Sequence, residues 1–283
     1  MSKGPPRRTR DSGFGTRDSP KPRARKRFGQ HFLEKAWVDK LIASLEAAPS
    51  DTFLEIGPGR GALTRPLAPR VRQIVAVEID RDLAAALPAD VPANVRVVEG
   101  DFLDVNLDEL LRGMPLPVRV VGNLPYNISS PILFKLLDAA REGERFRDAT
   151  LMLQKEVADR LVAQPGTGEY GTLAIQVALL ADVARVLTLP PGAFRPPPKV
   201  TSAVVRFRFH APSADVGDPA TFRRIVRGVF LQRRKTLANA LKPVASALGQ
   251  SAPELLERAG LDGSQRPEAL TVADVARLSR AVL

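Results

Sequence analysis

The 283-residue chain contains no cysteine. The absence of thiols excludes disulfide bonds, thiolate metal sites and cysteine nucleophiles. The two histidines, His31 and His210, are too few for a metal centre built from several imidazoles. No run of about 18 apolar residues is present, which argues against a membrane-spanning helix, and the basic N-terminus lacks the apolar stretch of a signal peptide. These absences predict a soluble cytoplasmic protein that binds neither a structural metal nor a membrane.

The formal net charge of +11 is concentrated at the N-terminus. Residues 1–27 hold ten lysines or arginines against Asp11 and Asp18, whereas the rest of the chain has 32 basic and 29 acidic side chains. A segment this basic and this poor in apolar residues is expected to be disordered. We therefore predict a disordered basic arm over residues 1–25, which either binds phosphate backbones or serves only as a solubilising tail.

Short apolar runs of strand type alternate with helical patterns from residue 26 onward. The runs cover residues 53–56, 74–78, 95–98, 118–121 and 149–153. Such alternation predicts an α/β domain over residues 26–211, with a mostly parallel sheet and helices on both faces. Ligands of this architecture bind at the carboxyl ends of the strands, where the strand order reverses.

The pattern changes after a linker-like stretch at residues 211–219. Apolar residues then recur at helical spacing over residues 222–241, and two further helices fit residues 252–259 and 272–283. We therefore predict a small all-helical domain over residues 212–283.

A glycine loop, E-I-G-P-G-R-G-A, follows the first of these strands at residues 55–62. Gly57 and Gly59 allow a tight turn and a close backbone approach to a ligand. Glu78 ends the next strand, where a carboxylate can accept both hydroxyls of a ribose. Asp101 follows the third strand and can accept a hydrogen bond from an adenine amino group. Together they predict a pocket for a cofactor that carries adenosine.

The glycine loop also fits the pattern of NAD-binding dehydrogenases. Two features favour S-adenosylmethionine instead. A dehydrogenase would need a proton donor, and the chain has only two histidines; moreover, the fourth strand ends in Asn-Leu-Pro-Tyr, at residues 123–126.

The tetrapeptide Asn-Leu-Pro-Tyr suits methyl transfer to an adenine amine. That amine is a weak nucleophile because its lone pair is delocalised into the ring. Asn123 offers a side-chain oxygen and Leu124 a peptide oxygen fixed by Pro125, and both can accept the amine hydrogens, while Tyr126 offers a face on which a flipped base can stack. Catalysis would then rest on positioning and electrostatics. The alternative is an ordinary turn, since Asn and Pro are common turn residues.

Several separated motifs together resemble the KsgA family of ribosomal RNA adenine dimethyltransferases. They are F-G-Q-H-F-L from residue 28, E-I-G-P-G-R-G-A-L-T from residue 55, Glu78, Gly100-Asp101, Asn-Leu-Pro-Tyr, and F-R-P-P-P-K-V-T-S from residue 194. The resemblance covers residues 26–283. It implies a Rossmann-like methyltransferase fold, S-adenosylmethionine as cofactor, and dimethylation of two adjacent adenosines near the 3′ end of the small-subunit rRNA.

The same resemblance implies further roles for single residues. His31 and Leu33 would help to close over the methionine part of the cofactor, Asn123 would touch both cofactor and target base, and Phe194 would stack on the base opposite Tyr126. Many relatives have Asn at the position of His31, which puts its share in cofactor binding in question. For Phe194, the competing interpretation is an apolar anchor for the proline-rich turn.

The segment from residue 222 to residue 242 carries seven basic residues and no acid. At about 100° per residue, Arg223, Arg227 and Arg234 fall on one helical stripe opposite Ile225 and Val229. We expect this stripe to contact the phosphates of a structured RNA in an immature 30S subunit, with the protein acting as a monomer. The alternatives are an Erm-like enzyme acting on large-subunit rRNA, a ribosome-assembly factor that acts mainly by binding, and, for the stripe itself, an ordinary solvated helix face.

Overall fold

A seven-stranded mixed sheet forms the centre of the computed structural model, which describes residues 31–282. The predicted basic arm therefore lies outside the described residues. The strands are β1 (Phe32–Leu33), β2 (Thr52–Ile56), β3 (Gln73–Glu78), β4 (Val95–Glu99), β5 (Val118–Asn123), β6 (Phe146–Gln154), β7 (Ala181–Leu189), β8 (Phe194–Arg195) and β9 (Ser202–Phe209). The order across the sheet is β4-β3-β2-β5-β6-β9-β7, and β1 pairs with β8 in a separate two-stranded ribbon. The predicted α/β architecture is confirmed.

Eleven α-helices accompany the strands in the described part of the chain. They are α1 (Lys35–Leu45), α2 (Thr64–Leu67), α3 (Arg81–Ala86), α4 (Leu107–Leu110), α5 (Ser129–Arg141), α6 (Lys155–Leu161), α7 (Thr172–Ala178), α8 (Pro219–Leu231), α9 (Leu237–Ala247), α10 (Ala252–Ala259) and α11 (Val272–Arg280). Within residues 31–282, no helix has the length and apolarity to cross a membrane.

The strand order reverses between β2 and β5. Strand β2 pairs in parallel with β3 on one side and with β5 on the other, so the chain runs outward through β3 and β4 before it returns to β5. Gly57 directly follows β2 and Asn123 ends β5, and the two lie on either side of this switch point. The fold therefore brings the glycine loop and the Asn-Leu-Pro-Tyr segment to one place.

The middle strands are buried on both faces, as expected for parallel strands covered by helices. Every residue of β2 is buried, with Phe53 packed in one apolar cluster and Leu54 in another. A charged residue in such a strand requires a specific reason. Two charged residues, Glu55 of β2 and Arg119 of β5, are nevertheless buried in these strands.

Arg119 is the centre of a buried ion-pair network at the amino ends of the strands. Its Nε atom donates to Asp148 at 3.0 Å and its Nη1 atom to Asp51 at 2.9 Å, while Nη2 donates to the carbonyl oxygen of Leu45 at 2.7 Å. The network joins the end of α1 to β5 and β6.

The C-terminal helices correct one sequence prediction. The stripe of Arg223, Arg227 and Arg234 assumes one continuous helix, but α8 ends at Leu231 and α9 begins at Leu237. The turn between them is held by Arg233, which pairs with Glu268 at 3.2 Å and donates to the carbonyl oxygen of Thr167 at 3.0 Å. The helical spacing of apolar residues persists across the break because both helices pack on the same core.

The helical region shares a continuous apolar core with the sheet. Phe222 and Val226 of α8 belong to the same cluster as Val205 and Phe207 of β9. The chain passes from β9 to α8 through residues 210–218, where the predicted boundary between residues 211 and 212 falls. That residues 26–211 and 212–283 are separate domains remains a prediction.

Candidate active site at the switch point

A cavity opens at the carboxyl ends of β2, β3, β4 and β5. The residues expected to hold the cofactor all line it, and so does the whole Asn-Leu-Pro-Tyr segment; these residues are His31, Leu33, Gly57, Gly59, Glu78, Asp101, Asn123, Leu124, Pro125 and Tyr126. The sequence motifs, spread over almost a hundred residues, therefore form one site. No cluster of three or more His, Cys, Asp or Glu residues able to hold a metal lies in the described part of the chain.

The glycine loop adopts a backbone that favours glycine. Gly57 has φ of 69° and Gly59 has φ of 58°, both in the left-handed region where a side chain is strained. The amide of Gly57 donates to the carbonyl oxygen of Val77 at 2.9 Å, which fixes the loop to β3. The loop thereby presents bare backbone to the cavity.

Glu78 is held rigidly at the end of β3. Its Oε2 atom accepts from the Gly59 amide at 2.8 Å and its Oε1 atom from the Asp80 amide at 2.9 Å. Burial raises the pKa of Glu78, although these amide donors oppose the rise. Asp101, after β4, accepts from the Leu103 amide at 2.9 Å and is only half-buried. The two carboxylates thus lie on neighbouring strands at one edge of the cavity.

Glu55 is a site residue that sequence reasoning missed. It is 1% exposed, lines the cavity, and its Oε2 atom has no hydrogen-bond partner in the described structure. Burial raises the pKa of Glu55 to about 7, the neighbouring Thr64 hydroxyl opposes this rise, and the charge of Glu78 adds to it. The available signal was a glutamate inside an otherwise apolar strand, directly before the glycine loop.

The side-chain amide of Asn123 has a fixed orientation. Its Nδ2 atom donates to the carbonyl oxygen of His31 at 3.0 Å. No hydrogen bond within residues 31–282 occupies the Oδ1 atom, which therefore remains available as an acceptor. The preceding Gly122 permits this arrangement because a Cβ atom there would lie 2.8 Å from the carbonyl oxygen of Ile56. Strands β2 and β5 consequently approach closely beneath Asn123.

The Tyr126 ring is held at both ends. Its hydroxyl lies 2.6 Å from the Oγ atom of Ser202, and its ring stacks with the imidazole of His31 at a centroid distance of 6.2 Å and an interplanar angle of 21°. Burial raises the pKa of Tyr126, so its hydroxyl stays protonated. Ser202 is the last residue of the F-R-P-P-P-K-V-T-S motif. The sequence did not reveal that this residue holds Tyr126.

His31 and the proline-rich segment lie next to each other. The Nδ1 atom of His31 is 2.8 Å from the carbonyl oxygen of Pro196, and Leu33 pairs with Phe194 in the β1–β8 ribbon. The ribbon therefore closes one side of the cavity, where we expected His31 and Leu33 to lie over the cofactor.

Phe194 does not occupy the position expected of a stacking residue. Its side chain is fully buried and belongs to the same apolar cluster as Leu33, and it is absent from the cavity lining. In this structure it offers no face to a base, contrary to the expected stacking role, because β8 pairs with β1 and directs the ring into the core. Its position fits the alternative interpretation, an apolar anchor of the proline-rich turn.

The three arginines expected to bind RNA lie on two different elements. Arg223 and Arg227 are exposed on α8, and Arg223 forms an ion pair with Asp138 of α5 at 3.3 Å. Arg234 is exposed in the turn that follows α8. Their role in RNA binding remains a prediction.

The cavity suits a cofactor with an adenosine group and a positive charge. Its loop is free of side chains at Gly57 and Gly59, Glu78 and Asp101 offer acceptors to hydroxyl and amino groups, and Glu55 leaves a buried oxygen unpartnered. With the sheet order around it, this site defines the class of Rossmann-like, S-adenosylmethionine-dependent methyltransferases.

The family model for "Ribosomal RNA adenine dimethylase" matches residues 21–281, and the chain belongs to this family. A similar protein from Acinetobacter baylyi, named ribosomal RNA small subunit methyltransferase A, is 45% identical over 261 residues, which are 91% of this chain and 92% of that protein.

Two solved structures share the fold and part of the sequence. A dimethyladenosine transferase from Plasmodium falciparum has a TM-score of 0.75 at 29% identity and covers 88% of this chain and 96% of its own. The 23S rRNA methyltransferase ErmE has a TM-score of 0.62 at 28% identity and covers 89% of this chain and 99% of its own. The chain is thus an enzyme of the rRNA adenine dimethylase family.

Proposed function

We propose that this protein uses S-adenosylmethionine to dimethylate N6 of two adjacent adenosines near the 3′ end of 16S rRNA, on an immature small subunit. The observation that carries the proposal is the Asn123 amide. Its nitrogen donates to the His31 carbonyl oxygen, and Asn123 lines the same cavity as Tyr126. Family membership supplies the chemistry that this arrangement serves.

S-adenosylmethionine, when bound, supplies a methyl group activated by a sulfonium. The residues present would hold it by its separate parts. The carboxylate of Glu78 would accept hydrogen bonds from the ribose hydroxyls, and Asp101 would accept one from the adenine amino group. The backbone at Gly57 and Gly59 permits close approach, and the ribbon that contains His31 and Leu33 covers the remaining side.

The target amine needs acceptors for its hydrogens. The Oδ1 atom of Asn123 and the carbonyl oxygen of Leu124, which Pro125 holds in place, can bind them and draw the nitrogen towards a tetrahedral geometry. Tyr126 would stack on the flipped base and fix its plane. Positioning of this kind lowers the barrier without a general base of tuned pKa. The amine proton is released to solvent after the methyl group has transferred.

The named relatives favour the small subunit over the large one. The relative from Acinetobacter baylyi, at 45% identity, is named for the small subunit, whereas ErmE, named for 23S rRNA, is 28% identical. Arg223, Arg227 and Arg234 would contact RNA phosphates and orient the subunit without reading its sequence. We expect the protein to act as a monomer in the cytoplasm, where it would also contribute to subunit assembly.

Labelled S-adenosylmethionine incubated with undermethylated subunits of both sizes tests the proposal. We expect two labelled methyl groups on each of two adjacent adenines of the small-subunit rRNA. Label in the large subunit would support the Erm-like alternative. Tight subunit binding without any label would identify an assembly factor that acts by binding alone.

A further inference from the structure

Glu55 is a buried acid in the cofactor cavity to which the proposed reaction gives no role. Its side chain is 1% exposed, and its Oε2 atom lacks a hydrogen-bond partner within residues 31–282. A carboxylate that is buried with an unpartnered oxygen carries a large free-energy cost when ionised, which the nearby Thr64 hydroxyl only partly offsets, so it tends to bind a proton. A positive charge placed in the same cavity removes that tendency.

Strand register places Glu55 between the two ends of the proposed cofactor site. Glu55 lies opposite Ala76 of β3 and Val121 of β5. It is therefore two residues below the level of Glu78 on one side and of Asn123 on the other. A cofactor held between Glu78 and Asn123 would occupy the cavity that Glu55 also lines.

We propose that Glu55 distinguishes the sulfonium cofactor from its neutral thioether product by exchanging a proton with solvent. It is ionised when the sulfonium occupies the cavity, and near neutral pH it is partly protonated when the cavity is empty or holds the thioether. This inference rests on the proposed function, which supplies both ligands.

The other charged groups around the cavity support this assignment. Glu78 and Asp101 add negative charge, and Arg60 is the cation, with its guanidinium 4.3 Å from the centre of the Phe32 ring. The remaining titratable groups are His31 and Tyr126, which stack on each other. A neighbouring negative charge disfavours an ionised Glu55, whereas a bound cation favours it. With burial raising the pKa of Glu55 to about 7, both states are accessible near neutral pH.

The loss of positive charge in methyl transfer would favour such a response. The carbon–sulfur bond breaks and leaves its electron pair on sulfur, the nitrogen–carbon bond forms, and the amine loses one proton to solvent. The sulfur changes from positive to neutral. Glu55 would then face no compensating cation, and it would take up a proton from solvent to the extent that its pKa and the pH allow.

Calorimetry on the protein without RNA tests the proposal. S-adenosylmethionine and S-adenosylhomocysteine are titrated at pH 7 in two buffers of different ionisation enthalpy, which reports the protons released on binding. Both ligands carry the same amino-acid part, so the difference between the numbers of protons that they release isolates the effect of the sulfonium charge. We expect the sulfonium ligand to release up to about half a proton more, because a group with a pKa of about 7 is half protonated at pH 7. Its affinity relative to the thioether should rise up to about tenfold in total between pH 6 and 8.

Two variants and a control complete the test. Glu55→Gln should release equal numbers of protons with both ligands and lose the pH dependence, whereas Glu99→Gln, an exposed acid at the end of β4, should behave like the wild type. Thr64→Val removes the hydroxyl that opposes the rise in the pKa of Glu55, and it should move the transition to higher pH. Equal proton release by both ligands with the wild type would overturn the inference. Failure of the wild type to bind either ligand at any pH would instead overturn the proposed function.

Discussion

The hydroxyl of Tyr126 lies 2.6 Å from the Oγ atom of Ser202, which joins the ring at the end of β5 to the antiparallel strand β9. Ser202 is fully buried and cannot move without disturbing the sheet. The short hydrogen bond therefore fixes the outer end of the ring on which the target base is expected to stack, while the stacked His31 imidazole restricts the ring's plane.

Ser202→Ala should lower the rate of methyl transfer while cofactor affinity persists. The ring loses its fixed orientation, and a misplaced base loses part of the advantage of positioning. We expect a decrease of about tenfold in single-turnover rate, comparable to the loss of one hydrogen bond. Tyr126→Phe removes the same bond from the other side, so the double variant should be no slower than either single one. Additive losses would show that the two residues act separately.

Glu78→Gln should weaken the binding of S-adenosylmethionine. The amide retains the size of the side chain, but the ribose hydroxyls lose a charged acceptor worth about 1.5–3 kcal/mol, or about 10- to 100-fold in affinity. Isothermal calorimetry measures the change, with the exposed Glu99→Gln as a matched control. An unaltered affinity would remove Glu78 from the ribose site.

The sequence predicted the elements that surround the site well, because each carries a local signal. The five apolar runs match β2 to β6 within three residues, and α10 covers residues 252–259 as expected. Glycines, a carboxylate at a strand end and a proline after an amide are all local features. The switch-point rule then suffices to bring them together.

The features that the sequence did not reveal depend on contacts between distant segments. Ser202 touches Tyr126 across 76 residues, and Phe194 is buried because β8 pairs with β1. The break after Leu231 also depends on a distant partner, since Arg233 binds Glu268. Helical periodicity cannot detect a turn whose flanking helices pack on the same core.

Reversal of the charge at Arg223, Arg227 and Arg234 to Glu should weaken subunit binding and leave cofactor affinity intact. Each lost phosphate contact should also reduce the slope of log affinity against log salt by about 0.7–0.9. A filter-binding series over salt concentration measures both. The matched control is the reversal of three exposed arginines elsewhere, Arg70, Arg72 and Arg112. If the control weakens binding equally, the effect is one of net charge, and the predicted contact surface is wrong.

Arg119→Met should destabilise the protein by up to about 3–5 kcal/mol, because the buried Asp51 and Asp148 would keep only the half-exposed Arg147 as a cation. Urea unfolding with cofactor absent measures the change. Lys35→Met, which removes an exposed ion pair with Asp39, should have little effect on stability. Similar losses in both variants would contradict a special role for the buried network.

The stability of the protein at acid pH should depend on the same buried network around Arg119. Burial alone would raise the pKa of Asp51, but the Ala48 amide and Arg119 outweigh it and hold the pKa below its ordinary value of 3.8. Asp51 therefore contributes its full stabilisation above about pH 5. That contribution disappears as the pH falls through the lowered pKa. In Asp51→Asn this part of the acid dependence should be absent.

The central claim is that the Oδ1 atom of Asn123 accepts a hydrogen of the adenine amine as the nitrogen attacks. Asn123→Ala should therefore lower the rate constant more than it weakens binding, because the hydrogen bond strengthens in the transition state. Since Asn123 also holds the His31 carbonyl oxygen, some loss of cofactor affinity is expected as well. Saturating concentrations separate the two effects.

The most direct measurement is single-turnover methylation of undermethylated small subunits by Asn123→Ala, at saturating cofactor and with subunit binding verified in parallel. We predict a loss of about 10²–10³ in rate, as found when one preorganised hydrogen-bond partner of a transition state is removed. A variant that binds the subunit and methylates it at the wild-type rate would make Asn123 an ordinary turn residue and contradict the mechanism.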